Sequence, residues 1–449
     1  MNIRDKKISI LGAVRSGIGA AKLAASQGAV PFVSDMSADE NVIENCKELE
    51  KLNIAFEYGG HTDRVFDCDF VITSPGVPNN STVLQKCREK NIKVVSEIEF
   101  ASWFCKGRII SITGTNGKTT TTALCAHALN TCGLKTYSAG NIGTAFSEVV
   151  LDVKENEIVA LETSSFQLDY IDKFKPMITI ILNITPDHLD RYENAFKKYI
   201  DSKLGVTKNQ TAEDYFIFNA DDKNTPAEID NNLVNRYSFS LMAEQKYGAY
   251  ISENNFVFAE DLNLEEVCSI DDLFIKGEHN IANALAVLIT AKILKLSNDK
   301  IKLGFSSFKG VEHRLEFVRE LNGVKYFNDS KATNIDSVWY ALRTFDSPIH
   351  LILGGIDKGN DYSIIESLVS ERVKKIYAIG TSAEKIFSYF SKKVEVEKME
   401  SLEAAIEKAK IEAVQNEIVL LSPACASFDM FKNYEHRGNV FKEKVNSLN

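Results

Sequence analysis

A strand that runs straight into a glycine turn and a lysine limits this chain more than any other feature. Ile109-Ile110-Ser111-Ile112-Thr113 is apolar and β-branched, which predicts a strand buried inside a parallel sheet. Gly114-Thr115-Asn116-Gly117-Lys118-Thr119 follows, and Thr120 to Leu129 reads as a helix. Glycines let backbone N–H groups turn inward on phosphate oxygens. The helix N-terminus adds positive potential, Lys118 neutralises charge, and the Thr119 hydroxyl suits Mg²⁺. The strict phosphate-loop pattern carries a glycine where Ile112 stands, so this loop is a variant. The competing reading is an ordinary turn between strand and helix, and it leaves the Lys118-Thr119 pair unexplained.

A chain of 449 residues allows about three domains, read here as 1–97, 98–310 and 311–449. The fold class expected is α/β throughout: a Rossmann-like N-terminal domain, a central P-loop-type ATPase sheet and a Rossmann-like C-terminal domain. The formal net charge of -10 argues against nucleic acid as a partner and leaves anionic ligands to local cationic pockets. The eight cysteines are scattered without a C-x-x-C pair, as expected of reduced packing residues in a cytoplasmic protein. No apolar run approaches a membrane span, so no membrane partner is expected. Met1 to Lys7 leads into a strand and not into a signal peptide.

In the first domain, the strand Lys7 to Leu11 meets Gly12, and further glycines fall at 17 and 19. The order is that of a Rossmann opening, although the G-x-G-x-x-G spacing is absent and Arg15 is an unexpected charge. A second strand ends at Asp35, placed to accept a hydrogen bond from a ribose or base. A third runs into Ser74-Pro75-Gly76, which offers N–H groups at the carboxyl edge. NAD(P) or FAD, another nucleotide, or no ligand at all remain open on these residues.

In the middle domain, one strand ends at Glu162 and another at Asn183, shortly before Asp187-His188. All carboxyl ends of a parallel sheet lie on one edge, so the phosphate loop, Glu162 and His188 should converge there. A carboxylate, an imidazole and a hydroxyl beside a triphosphate suit Mg²⁺. A helix expected over 194–204 carries Lys197, Lys198 and Lys203, and the default reading of such lysines is solvated charge. Asn280 and Asn283 share a helix face, where they could read an adenine or ribose, or cap the helix.

In the third domain, Glu312-His313-Arg314 forms a connector whose arginine either reaches a phosphate or makes a surface salt bridge. Strand ends then present Asp329, Lys331, Thr333, Lys358 and Ser427, a mixture of cations and hydroxyls suited to a small dicarboxylate.

Gly114-Thr115-Asn116-Gly117-Lys118-Thr119, His279-Asn280-x-x-Asn283 and Asp329-Ser330-Lys331-Ala332-Thr333-Asn334 resemble, in order and over essentially the whole chain, the Mur ligase superfamily. The D-S-K-A-T-N run and the closing Ser422 to Gly438 are similar to the branch that adds D-glutamate. The resemblance implies that ATP phosphorylates the carboxylate of UDP-N-acetylmuramoyl-L-alanine and that the D-glutamate amine displaces phosphate, during the cytoplasmic stage of peptidoglycan synthesis. It implies ATP contacts from Gly114, Thr115, Asn116, Gly117, Lys118, Thr119, Thr120, Asn280, Asn283, Arg314, Asp329 and Lys331. It assigns Ser16, Asp35, Ser74, Gly76 and Asn141 to the UDP substrate, and Thr333, Lys358, Ser427 and Tyr434 to D-glutamate. Catalysis falls to Lys118, Glu162, His188 and Lys203, with two Mg²⁺ ions held by Thr119, Glu162, His188 and a carbamylated Lys203. A monomer is expected. Met36-Ser37 stands where a Thr-Arg pair is usual, so uracil recognition should differ in detail.

Another Mur or folylpolyglutamate-type ligase is the alternative, and the D-S-K-A-T-N run and the separate N-terminal nucleotide domain argue against it. A regulatory protein that hydrolyses ATP without ligation is the rival from another class; phosphate release that needs no amino acid would mark it. A dehydrogenase fails on the phosphate loop and the broken glycine spacing.

Overall fold

The computed structural model describes residues 2–141, 143–225, 234–357 and 359–449. Three sheets form among them. The first joins β1 (Lys7–Leu11), β2 (Val30–Asp35), β3 (Ala55–Tyr58), β4 (Phe70–Thr73) and β5 (Val94–Ser96). All are parallel, in the order β3-β2-β1-β4-β5, so the winding reverses between β1 and β4. A reversal of this kind opens a crevice at the carboxyl edge.

The second sheet comprises β6 (Arg108–Thr113), β7 (Thr136–Gly140), β8 (Ile158–Glu162), β9 (Ile178–Ile181), β10 (Tyr215–Asn219), β11 (Asn235–Ser240), β12 (Tyr247–Ser252), β13 (Asn255–Glu260) and β14 (Asn263–Ser269). Its order is β14-β13-β12-β11-β10-β9-β6-β8-β7, with only the pairs β12/β13 and β13/β14 antiparallel. β6, β8 and β9 are buried almost throughout, which is why their sequences are continuous apolar runs. β14 forms an edge, and its exposed half carries Glu265 and Glu266.

The third sheet contains β15 (Glu316–Leu321), β16 (Val324–Asn328), β17 (Ile349–Gly354), β18 (Val373–Ile379), β19 (Glu395–Lys398) and β20 (Ile418–Leu421), in the order β15-β16-β20-β17-β18-β19. Only β15/β16 is antiparallel.

The chain divides into two compact units, Met1–Leu273 with Ile281–Phe308, and Phe274–Asn280 with Lys309–Asn449. The first unit contains two sheets because one apolar cluster runs through both, from Ile8, Ile10 and Phe70 through Phe100 to Ile109, Phe146 and Tyr199. The third sheet has its own cores on its two faces. All eight cysteines are unpaired in the structure, five of them buried. No helix among the described residues is long and apolar enough to cross a membrane.

Two local expectations need correcting. The helix expected from 194 begins only at Phe196 (Phe196–Leu204), because Glu193 and Asn194 both sit at left-handed φ, 55° and 56°, which no helix continues through. The strands β10 to β14 were not anticipated.

Candidate functional site

The first unit builds its site on the adjacent carboxyl ends of β9, β6, β8 and β7. Gly114 and Gly117 lie at φ 149° and 86°, conformations that L side chains rarely adopt. A Cβ on Gly117 would also stand 2.6 Å from Asn283 Oδ1, so the loop passes too close to the helix Glu278–Ile293 for any side chain. Gly117 caps the helix Lys118–Thr131, as the strand-turn-helix reading predicts.

The loop is held from β9. Asn116 N donates to Asn183 Oδ1 at 2.8 Å, and Asn183 Nδ2 returns to Asn116 O at 3.1 Å. Thr115 Oγ1 bonds Thr185 and Tyr199. Asn183, which the sequence marks only as a strand end, is thus a clamp on the loop.

Lys118 Nζ donates to Gly114 O at 2.9 Å and Thr115 O at 2.7 Å. Lys203 Nζ donates to the same Gly114 O at 2.8 Å and lies 4.7 Å from the Tyr199 ring centre. Its side chain is 2% exposed, which overturns the surface-charge reading. Burial, and after it the Lys118 charge, push the Lys203 ammonium well below its ordinary range, so the neutral amine becomes accessible.

Glu162 is also 2% exposed and receives Asn141 Nδ2 at 3.2 Å. The Asn141 amide donates to Glu162 O, binding the ends of β7 and β8 together. His188 lies at a left-handed φ of 49° and is more than half exposed, with Nε2 3.5 Å from Asp187. Its ring meets Phe166 edge to face at 5.2 Å. Thr119 is half-buried and Thr120 buried at the start of their helix. Among the described residues, no three His, Cys, Asp or Glu side chains are gathered as a metal site. The buried Glu162 carboxylate, on the strand next to the one that leads into the loop, and the Thr119 hydroxyl are oxygen donors of the kind that suits Mg²⁺, which otherwise keeps waters and phosphate oxygens.

On the first sheet, Asp35 accepts Ala13 N at 2.6 Å and Ser37 N at 2.8 Å, tying the end of β2 to the turn after β1. Gly12 lies at φ 99°, and a Cβ there would press on Ser74 Oγ at 2.8 Å. The turns after β1 and β4 therefore touch at the winding reversal, with Ser16 and Ser74 half-buried and Gly76 exposed.

The second unit has its own edge, on β16, β20 and β17. Asp329 is buried, accepting Ser422 Oγ at 2.8 Å and Leu315 N at 3.2 Å, and burial pushes its carboxyl up to about 7. Arg314 is half-buried, and its Nε is buried with no hydrogen-bond partner among the described residues, which does not fit a surface salt bridge. Asn280 Nδ2 donates to Lys276 O at 2.8 Å, closing the start of its helix. Lys331 Nζ stands 3.9 Å from the Tyr434 ring centre.

Arg437, 1% exposed and not singled out in the sequence, spans the site. Nε and Nη2 bond the Ser330 Oγ and O, and Nη1 bonds Cys425 O. It thereby joins the turn after β16 to the turn after β20. Ser427 is buried and Thr333 half-buried on these turns. Lys358 lies outside the described residues.

A strand-glycine-lysine loop with a buried acid at the neighbouring strand end defines a phosphate-binding edge, in a chain that carries a separate α/β unit as well. Residues 112–291 match the Mur ligase middle domain, 313–425 the Mur ligase glutamate ligase domain and 7–83 the MurD N-terminal domain. The chain belongs to the Mur ligase family, and within it stands with MurD. It is 44% identical, over 99% of both chains, to a protein of Chloroherpeton thalassium named UDP-N-acetylmuramoylalanine--D-glutamate ligase. A protein of Christiangramia forsetii with the same name is 45% identical over 99% of this chain and all of its own. Among solved structures, UDP-N-acetylmuramate-alanine ligase MurC of Thermotoga maritima has a TM-score of 0.62 at 21% identity, covering 98% of this chain and 99% of that one. That likeness concerns the fold alone.

Proposed function

We propose that this chain uses ATP to join D-glutamate to UDP-N-acetylmuramoyl-L-alanine through an acyl phosphate. The observation that carries the reading is the end-to-end similarity to relatives named for that reaction, over a chain that presents a phosphate loop. We divide the chain functionally into a Rossmann-like UDP-substrate domain at 1–97, a P-loop-type ATP domain at 98–310 and a Rossmann-like amino-acid domain at 311–449. The protein acts as a monomer in the cytoplasm.

In the reaction, the substrate carboxylate attacks the γ-phosphorus of ATP and ADP leaves. The amine of D-glutamate then attacks the acyl carbon, and phosphate departs from a tetrahedral intermediate. Lys118 exchanges its loop carbonyls for phosphate oxygens and stabilises the transferring phosphoryl group. Thr119, Glu162, His188 and a carbamylated Lys203 would hold two Mg²⁺ ions, whose charge offsets repulsion between phosphate and carboxylate. A lysine becomes a carbamate only as the neutral amine, and the burial of Lys203 favours that form. The loop residues 114–120 bind the ATP phosphates; Arg314, whose Nε has no hydrogen-bond partner among the described residues, is a further ATP contact, as are Asn280, Asn283, Asp329 and Lys331. Ser16, Asp35, Ser74, Gly76 and Asn141 hold the UDP substrate, and Thr333, Lys358, Ser427 and Tyr434 hold D-glutamate.

The deciding experiment measures phosphate release with ATP, Mg²⁺ and UDP-N-acetylmuramoyl-L-alanine, adding D-glutamate, L-glutamate, L-lysine or meso-diaminopimelate in turn. Release that depends on D-glutamate alone is expected. Release with another amino acid would overturn the reading of the third sheet, and release without any would favour a nucleotide-hydrolysing regulator.

A further inference from the structure

The turn Ser74-Pro75-Gly76-Val77 at the end of β4 is gripped by one side chain, Arg191, from the 3-10 turn Leu189–Tyr192 that follows β9. Arg191 Nη1 donates to Pro75 O at 2.7 Å and Nη2 to Val77 O at 2.6 Å. The two branches of the guanidinium therefore grip two alternate carbonyls of one turn. The same guanidinium lies 3.9 Å over the centre of the Phe166 ring, a cation–π contact made in a largely desolvated place. Phe166 in turn meets the His188 ring edge to face and stacks on Tyr192 at 6.4 Å. The Tyr192 hydroxyl reaches Asp169 at 3.0 Å and Ser202, the neighbour of Lys203, at 3.3 Å. A second tie to the same turn region runs through Asn79, which bonds Asp169 and Tyr170. It does not touch Phe166 or His188.

We infer that Arg191 is a positioning residue that couples the first sheet's turn to His188. It rests on the reading of the Ser74–Gly76 turn as part of the UDP-substrate site. A shift of the turn on binding moves two carbonyls, the guanidinium follows them, and the Phe166 ring beneath it carries the displacement to the His188 ring. Rigid, close-packed contacts transmit such shifts because neither the planar fork nor the aromatic ring has a soft degree of freedom to absorb them. A lysine cannot reproduce the link. Its point charge reaches one carbonyl and presents no planar face to the ring.

The test uses the full chain with histidine ring carbons labelled, the His188 resonance being assigned with His188→Gln, and UDP as the probe. In the wild type, UDP should bind and shift the His188 resonance. In Arg191→Ala, UDP should still bind at higher concentration while the His188 shift disappears. Asn79→Ala should weaken UDP binding but keep the shift. In steady state, Arg191→Ala should raise KM for the UDP substrate and lower kcat by about 10²-fold, the cost of a misplaced catalytic group. Arg191→Lys should recover little, and free guanidinium should restore part of kcat in Arg191→Ala.

A His188 shift that persists in Arg191→Ala would overturn the coupling. So would a variant with a lower melting temperature but unchanged kcat and KM. A wild type that binds UDP without any response at His188 would overturn it as well. Failure of UDP to bind the wild type at all would instead strike the reading of the first sheet and remove the basis of the coupling with it.

Discussion

Lys203 and Arg437 are both buried cations that donate to backbone carbonyls at a sheet's carboxyl edge, yet they are built for opposite ends. Arg437 satisfies three acceptors with one planar fork and stays charged; burial lowers it only to about 10. Lys203 has Gly114 O as its hydrogen-bond partner and shares it with a second ammonium, Lys118. The first cation is fixed as a structural cross-link. The second is poised to lose its proton. Burial alone therefore does not say whether a charge is structural or reactive; the number of partners and the sign of the neighbours do.

The largest effect expected comes from removing Lys203. Lys203→Ala should lower ligation by about 10³-fold, as when a key electrostatic group is lost, with partial recovery on adding formate or acetate. Full activity in the variant would end the carbamate assignment. The same position should tolerate an apolar chain of similar length: Lys203→Met should melt close to the wild type, because the amine it replaces makes one hydrogen bond, to Gly114 O, and is costly to keep charged where it is buried.

Arg437→Met should behave in the opposite way. Three acceptors left unpaired should lower stability by about 4 kcal/mol, visible as a drop in the urea midpoint. If both methionine variants were equally stable, the contrast between the two cations would fail.

A buried anion sharpens the contrast. Glu97 is 1% exposed, receives Ser147 N at 2.6 Å, and has no hydrogen-bond partner for Oε2 among the described residues. Burial pushes its carboxyl from the ordinary 4.5 up to about 7. The folded chain therefore holds the proton more tightly than the unfolded chain. The resulting destabilisation is absent below the unfolded value, grows as pH rises between the two values and is complete above the folded one. Glu97→Gln keeps the acceptor and removes the charge. It should add about 3 kcal/mol at pH 8 and almost nothing at pH 4, a difference readable from melting temperatures. The smallest expected change is Gly117→Ala, which forces a left-handed alanine against Asn283 Oδ1. It should cost about 2 kcal/mol and raise KM for ATP more than KM for D-glutamate.

Much of this site was readable in the sequence because parallel strands announce themselves as apolar runs, and their polar ends fall on one edge. That logic located the phosphate loop, Glu162, Asp35 and Asp329. It could not place Lys203, whose helix also carries the exposed Lys197 and Lys198 at neighbouring positions. Nor could it give a role to Asn183, named only as a strand end, or to Arg191 and Arg437, because their partners are backbone atoms of distant turns and a carbonyl leaves no mark in sequence spacing. The helix start was misplaced because two non-glycine residues, Glu193 and Asn194, take left-handed conformations. Among the strands β10 to β14, β11 and β14 are partly exposed and lack the continuous apolar runs of the central strands, whereas β10 and β13 carry such runs and were legible in the sequence.

The carbonyl of Gly114 carries a kinetic consequence. An oxygen of this kind offers two lone pairs, and Lys118 and Lys203 between them claim both. Nucleotide capture at this loop is therefore in part a substitution reaction: Gly114 O and Thr115 O take two of the three N–H donors of the Lys118 ammonium, and a phosphate that draws on more than the third displaces a carbonyl. Its rate should rise with temperature more steeply than simple encounter would, and changing the occupant of either lone pair should alter how fast ATP loads as well as how tightly it is held.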